Sequence, residues 1–244
     1  MSRNHFVNFL SAEEAAKLIP DDAVIASACF GNGGWPHELA YAMEDLFLET
    51  GHPANITHIH AAGCGDFGKN GHGECHWSHE GMMTRVLTSH PGSSPKLMKM
   101  ITDNKIAAWN QPLGTMIQVF REMGRNMPGL LSKTGLGTFM DPRSDKGAIN
   151  DLARSQNVEW AQYIPDFCGE DYIFYKAYPL THAFIRGTYA DTNGNISVEN
   201  EAYNLESLAV AQAVKACGGK VFAQVQKVVE LGQIHPKMVK VPGI

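Results

Sequence analysis

A short apolar run that ends in glycines constrains this chain more than any other feature. Asp21 to Pro36 reads D-D-A-V-I-A-S-A-C-F-G-N-G-G-W-P. A buried strand that passes straight into a glycine turn marks backbone that bends sharply or lets a ligand come close. Just before it, Ser11 and Glu14 have the spacing of a capping box, so a helix should precede the strand. Pro36, with its fixed φ, suits the first turn of a following helix. The opening order is therefore helix, tight turn at Pro20-Asp21-Asp22, strand, glycine loop, helix.

The same alternation continues. Val24 to Cys29, Ile56 to Ala62, Ile106 to Trp109, Ala183 to Gly187 and Lys220 to Val229 read as strands, with helical patterns between several of them. Leu205 to Cys217 reads as a helix stopped by Gly218-Gly219. The expected fold is α/β: one open, mostly parallel sheet with helices on both faces, a single domain over residues 1–244. Gly63 to Gly81 and Gly124 to Asp145 read as long loops, which in a compact domain usually carry function or a partner contact.

Composition narrows the class. At 244 residues and 44% hydrophobic content the chain can bury a large core, and its net charge of -5 gives no basic surface for nucleic acid. No stretch approaches a membrane span, and the first residues lack a signal-peptide pattern, so the expected address is cytoplasmic. The five cysteines are odd in number and form no C-x-x-C pair, which fits reduced thiols better than a disulfide frame.

Further motifs complete a pattern. They are His79-Glu80-Gly81, the N-x-P-x-G run Asn110 to Gly114, Thr134 to Pro142 (T-G-L-G-T-F-M-D-P), Tyr175-Lys176-Ala177 and Arg186-Gly187-Thr188. Ala190-Asp191 with Gly194-Asn195, His235-Pro236 and Val241 to Ile244 follow. In this order, over nearly the whole length, the chain resembles the amino-terminal, or α, half of a family I coenzyme A transferase. The likeness is greatest to the long fused enzymes of the acetate, propionate and 3-ketoacid type. Phe30, Gly34 and Pro36 match the family's glycine signature, whereas Ala28 and Cys29 stand where it has two glycines. Leu113 stands where relatives place a glutamine, and Gln111 lies before the proline instead.

The resemblance implies a ping-pong transfer of coenzyme A between carboxylic acids through a glutamyl-CoA thioester. The nucleophilic glutamate is expected on a β half outside this chain, so the catalytic residue here is none and activity needs that partner. The implied partners are the β half, as a separate subunit or a fused segment, together with acyl-CoA and a short-chain carboxylate, in an oligomer, with neither nucleic acid nor membrane. Coenzyme A enters as substrate, with no permanently bound cofactor and no metal. Fold relatives include sugar-phosphate isomerases, citrate lyase α chains and CoA-ester hydrolases, and a non-catalytic half is a further alternative.

Candidate substrate-side residues follow. Gly31, Asn32, Gly33 and Gly34 offer backbone N–H groups to a carboxylate or thioester oxygen at a helix start; the alternative is a strand-to-helix turn that merely needs φ > 0. Their spacing is not a G-x-G-x-x-G fingerprint. Gln111 and Gly114 follow a predicted strand end, where ligands approach an open sheet, or else form a plain Pro-Gly turn. Gly137 and Thr138 either approach the acyl group or the CoA arm, or pack on the partner half. Asp191, Gly194 and Asn195 read as a structural turn. Glu199 and Glu201 read as acidic residues ahead of a helix start rather than as nucleophiles. His72, Cys75, His76 and His79 have donor types suited to zinc, but Gly71 and Gly73 argue against the regular helix that would align them, and a mobile, partly exposed loop is the plainer reading.

Overall fold

The computed structural model describes residues 7–68 and 71–243. Ile244, the last residue of the closing motif, and residues 69 and 70 of the first long loop lie outside these. The chain runs α1 (Ala12–Ala16), β1 (Val24–Ser27), α2 (His37–Thr50), β2 (Ile56–His60), β3 (Met83–Thr88), α3 (Pro95–Thr102), β4 (Ala107–Asn110), α4 (Leu113–Gly124) and β5 (Gly129–Ser132). It continues α5 (Asp151–Ser155), β6 (Ala161–Phe167), β7 (Glu170–Lys176), β8 (His182–Asp191), β9 (Ile196–Ser197), α6 (Ser207–Ala216), β10 (Lys220–Val229) and β11 (Val239–Val241).

β10, β8, β1, β2, β3 and β4 lie side by side, every pairing parallel. β9 joins the far end of β8 and β11 joins β9, both antiparallel. Parallel strands covered on both sides need apolar residues at successive positions, and β1 has them. Ile25 packs with α1, α2, Trp35 and Trp77, while Ala26 packs with α4 and α6. α3 covers β3 and β4 through Leu97, Ile101, Met83 and Val86. The expected open, mostly parallel sheet with helices on both faces is what forms.

Local signals work as read. Ser11 and Glu14 close the capping box in both directions, at 2.8 and 3.2 Å. α2 is preceded by Pro36 at its N-cap and stops at Gly51, which is left-handed at φ 78° and donates to Phe47 O. Gly218 and Gly219 end α6 by donating to Lys215 O and Val214 O. Asp191 gathers Asn193 N, Asn195 N and Asn195 Nδ2, so the D-x-x-G-N stretch is held as a turn by its own aspartate.

Three readings need correction. The stretch from Gly124 to Asp145 is not all loop: α4 includes Gly124, and Gly129–Ser132 pairs with β7, which pairs with β6, in a separate antiparallel sheet. The Gly63 to Gly81 loop is not a mobile exposed one in its described part, since Glu74, Cys75, Trp77 and Ser78 are buried. Cys29 and Cys64 are joined through their sulfurs, with Cα atoms 5.8 Å apart, so reduced thiols do not describe this pair. Their separation of 35 residues hides what the β1–β2 pairing brings together. Cys75, Cys168 and Cys217 are free. Among the described residues no helix is long and apolar enough to cross a membrane.

Asn150 ties α5 to β4 and α3. Its Nδ2 donates to Ile101 O and Ile106 O, both at 2.8 Å, and its Oδ1 accepts from Ala153 N at 3.1 Å. Asn150→Ala removes a helix cap, a donor to Ile106 O and one of two donors to Ile101 O, which keeps its bond from Asn104 N, so denaturant titration should show a loss of about 1–3 kcal/mol. A loss below about 0.5 kcal/mol, the size of an ordinary surface change, contradicts this role.

Candidate functional site

The C-terminal ends of the parallel strands form a rim, the edge where open α/β sheets take ligands. The loops on it are stitched together by hydrogen bonds. Gly31 N donates to Gly63 O at 2.8 Å, and Gly65 N donates to Gly31 O at 3.1 Å. Ser94 Oγ donates to Cys64 O at 2.6 Å, Asn110 Nδ2 to Thr88 O at 2.6 Å, and Asn110 N to Gly147 O at 2.7 Å. The rim therefore runs from the β1 loop across those of β2 and β3 to the end of β4.

The predicted site residues fall into two groups on this rim. Gly31, Asn32, Gly33 and Gly34 form the turn after β1. Gly33 N is used inside the turn, donating to Phe30 O. Among the described residues no acceptor takes the N–H of Asn32 or Gly34. Gly34 has a structural reason of its own: at φ +77° an added Cβ would stand 2.7 Å from Ala28 O. Gln111, Gly114, Gly137 and Thr138 form the second group, at β4. The two strands are three sheet spacings apart, roughly 14 Å, so the groups do not touch.

In the second group the Pro-Gly turn alternative is set aside: Pro112 is the N-cap of α4 and Gly114 lies in the helix's first turn. An added Cβ at Gly114 meets nothing within 4 Å. Gln111 is buried, its Oε1 accepting from Tyr178 Oη at 2.6 Å while its Nε2 has no partner among the described residues. Asp141 organises the Gly137–Thr138 turn: Gly137 N donates to Oδ2 at 2.8 Å, and Arg143 donates through Nε and Nη2. Those Arg143 bonds hold the Asp141 carboxyl well below the ordinary carboxylate range.

Among the described residues the donor atoms of His72, Cys75, His76 and His79 do not converge on one point. α2 presents Tyr41 and Glu44 to this cluster instead. Tyr41 Oη pairs with His72 Nδ1 at 2.8 Å, while Glu44 pairs with His76 and, at 2.5 Å, with His79. Burial alone would raise the Glu44 pKa, but the bonds from His79 and His76 outweigh it and the net shift is downward. Glu201 pairs with Arg186 at 3.2 Å, and Glu199 is exposed.

Sequence reading missed a buried polar set directly beneath the glycine turn. Ser27 from β1, Cys29 just beyond it, and His58 and His60 from β2 share the face toward α2, and the turn at Glu74 closes over them. Ser27 Oγ lies 2.7 Å from His58 Nε2, His58 Nδ1 lies 2.5 Å from Glu74 Oε1, and His60 Nε2 lies 2.9 Å from the same oxygen. Burial pushes His58 down to about 4. For His60 burial also works downward, but the Glu74 charge prevails and the shift is upward. Burial opposes ionisation of Glu74, yet the two imidazoles bring it down to about 2. The signal was the i, i+2 pair of histidines in a strand otherwise read as apolar.

The chain is thus a parallel α/β sheet with a glycine turn on its C-terminal rim. The coenzyme A transferase family model matches residues 9–244, and the chain belongs to that family. It is 42% identical over 235 residues to caffeate CoA-transferase of Acetobacterium woodii, covering 96% of this chain and 44% of that protein. The crystal structure of the acyl-CoA transferase YdiF of Escherichia coli O157:H7, a thioester complex with CoA, superposes with a TM-score of 0.91 at 36% identity, covering 98% of this chain and 48% of that one. The α subunit of a probable coenzyme A transferase of Bacillus subtilis is 25% identical over 239 residues, covering 98% of this chain and 91% of that protein. The chain thus spans less than half the length of the curated relatives it matches at 36–42% identity.

Asp141 gives a pH test. With its folded pKa depressed, its stabilisation is complete above the unfolded value of about 4 and fades as pH falls below that. Asp141→Asn should lower stability at pH 7, and the gap to wild type should narrow between about pH 5 and pH 3 in denaturant titrations. A gap that is constant over that range contradicts the ion pair.

Proposed function

We propose that this chain is the α half of an acyl-CoA:carboxylate CoA-transferase of the acetate, propionate and 3-ketoacid class, with residues 1–244 acting as one α-half domain. One observation carries the reading. Of this chain's interior glutamates, Glu74 is engaged by two imidazoles, Glu44 by His76 and His79, and Glu201 by Arg186, while Glu206, whose Oε1 has no partner among the described residues, has its pKa raised by burial, which favours the neutral acid over a nucleophilic carboxylate. As the likeness to coenzyme A transferases implies, the nucleophile in this reading is a glutamate of a β half, whether a separate protein or a later segment. The α-type relative of Bacillus subtilis, which this chain covers almost end to end, supports that division.

In this reading the β-half glutamate oxygen attacks the thioester carbonyl and expels the CoA thiolate, giving an acyl-glutamyl anhydride. The thiolate attacks the glutamyl carbonyl, releases the first carboxylate and leaves a glutamyl-CoA thioester. A second carboxylate reverses both steps and departs with CoA. Splitting the transfer in this way is covalent catalysis. This chain's contribution is the rim: the N–H groups of Asn32 and Gly34, the start of α4 at Gly114 and the Gly137–Thr138 turn receive the carboxylate and the CoA arm. Donors held by the loop-to-loop bonds need little reorganisation as oxyanion charge develops. Binding energy from the distant nucleotide end offsets strain at the reacting end. Relatives named for acetate and for caffeate share a carboxylate and CoA, which is the chemistry the rim suits.

Mass spectrometry of the chain incubated with acetyl-CoA and acetoacetate, with and without the β half, tests this. The expected result is a CoA adduct on the β half alone, and acyl exchange only with both halves present. An adduct on Glu199 or Glu201 of this chain places the nucleophile here and overturns the reading. Hydrolysis without exchange in the pair makes the protein half of a CoA-ester hydrolase instead.

A further inference from the structure

The sequence reading assigns no metal, yet the buried set beneath the glycine turn holds donors of another kind. The donor atoms of Cys29, His60 and Cys64 lie within 4.8 Å of one another, and all three residues are fully buried. Cys64 Sγ is 3.5 Å from His60 Nδ1. The carbonyl oxygen of Ala62 faces the same point, 3.9 Å from Cys29 Sγ, 3.7 Å from Cys64 Sγ and bonded to His60 Nδ1. A disulfide uses two of these four atoms, and the other two, His60 Nδ1 and Ala62 O, bond each other beside it, with Thr88 Oγ1 3.3 Å from the nitrogen.

We propose that, with its thiols reduced, this cluster is a binding site for a thiophilic divalent cation of the zinc type, with Cys29 Sγ, Cys64 Sγ and His60 Nδ1 as ligands. Two thiolates and one imidazole are a recognised zinc donor set, with a fourth position for an oxygen; Ala62 O stands there. Separations of 3.5 to 3.9 Å match the edges of a tetrahedron with metal–ligand bonds of about 2.0–2.3 Å. Two pairs must part: the sulfurs to about 3.8 Å, which their Cα separation of 5.8 Å permits, and His60 Nδ1 from Ala62 O, now hydrogen-bonded at 2.5 Å, to about 3.3 Å, so that Nδ1 gives up that proton and turns its lone pair to the metal. Glu74 Oε1 lies 2.9 Å from His60 Nε2, a carboxylate charge on the side of the ring away from the ligand nitrogen. Ser27 Oγ, 3.8 and 4.0 Å from the two sulfurs, is a hydroxyl placed to donate to thiolate charge. Binding releases the two thiol protons and any proton on Nδ1 to solvent, and moves no electrons.

The site differs from the His72, Cys75, His76 and His79 cluster, whose imidazoles are taken by Tyr41 and Glu44. Its place is structural: the ion would join the end of β1 to the turn after β2, under the N–H groups that face the substrate.

Cobalt(II) reports the ligands directly. The full chain, reduced with a phosphine and freed of metal under anaerobic conditions, should take up about one equivalent of Co²⁺ with thiolate-to-cobalt charge-transfer absorption and tetrahedral visible bands, both erased by Zn²⁺. Cys29→Ser and Cys64→Ser should each weaken the charge-transfer band and lower affinity at least tenfold, His60→Gln should lower affinity, and Cys75→Ala should change nothing. A reduced wild-type chain with all five thiols titratable and native circular dichroism that gives no such band overturns the proposal. So does a band that survives in the Cys29→Ser/Cys64→Ser double variant, because the metal is then held elsewhere.

Discussion

The two backbone hydrogen bonds between Gly31 and the Gly63–Gly65 turn are what the functional end of this molecule depends on. They continue the parallel pairing of β1 and β2 past the last strand residues, Ser27 and His60. The approach is so close that an added Cβ at Gly65 would stand 2.6 Å from Ser94 Oγ. Because Gly31 is spent on this link and Gly33 on the turn itself, the loop N–H groups with no acceptor among the described residues are those of Asn32, which is half-buried, and Gly34, which is buried. The same link stacks Cys29 over Cys64 and carries the β2 turn to Ser94, and so to the rest of the rim.

Beneath that link lies a polar interior that an α/β core of this kind seldom contains. Each ion removed from water costs several kcal/mol unless it is paired and hydrogen-bonded. The cluster limits its charge by keeping His58 neutral and setting His60 against Glu74. Trp35 and Trp77 pack edge-on to His58 and exclude water from it. Such a set constrains its own geometry tightly, which suits a place where loop positions must not drift.

The sequence made the parallel layer legible because its signals are local. Lys220 to Val229 was readable residue for residue, since Gly218-Gly219 stops the helix before it and apolar residues recur along it. Ser11 to Glu14 and Pro36 marked helix starts for reasons internal to a few residues. β3 was missed because Thr84 and Arg85 interrupt its apolar run, and Arg85 reaches outward to Gln156. β6 was missed because Pro165 argues against a strand, although it lies on the edge strand of the small sheet, where proline is tolerated. Of the site, the glycine turn, Gln111, Gly114 and the Gly137–Thr138 turn were all found on the rim. The fusion of Cys29, Cys64, His58, His60 and Glu74 into one cluster was not, because strand register and a turn from well beyond β2 create it, and no spacing in the sequence records that.

What unites these parts is a rim whose donors are set before any ligand arrives. Hydrogen–deuterium exchange of the chain paired with the proposed β half, with and without CoA, tests this most directly. Slowed exchange confined to residues 31–34, 111–116 and 134–141 is the result that the account requires. Protection that appears only on α2 and the 71–79 turn, with the rim unchanged, would contradict it.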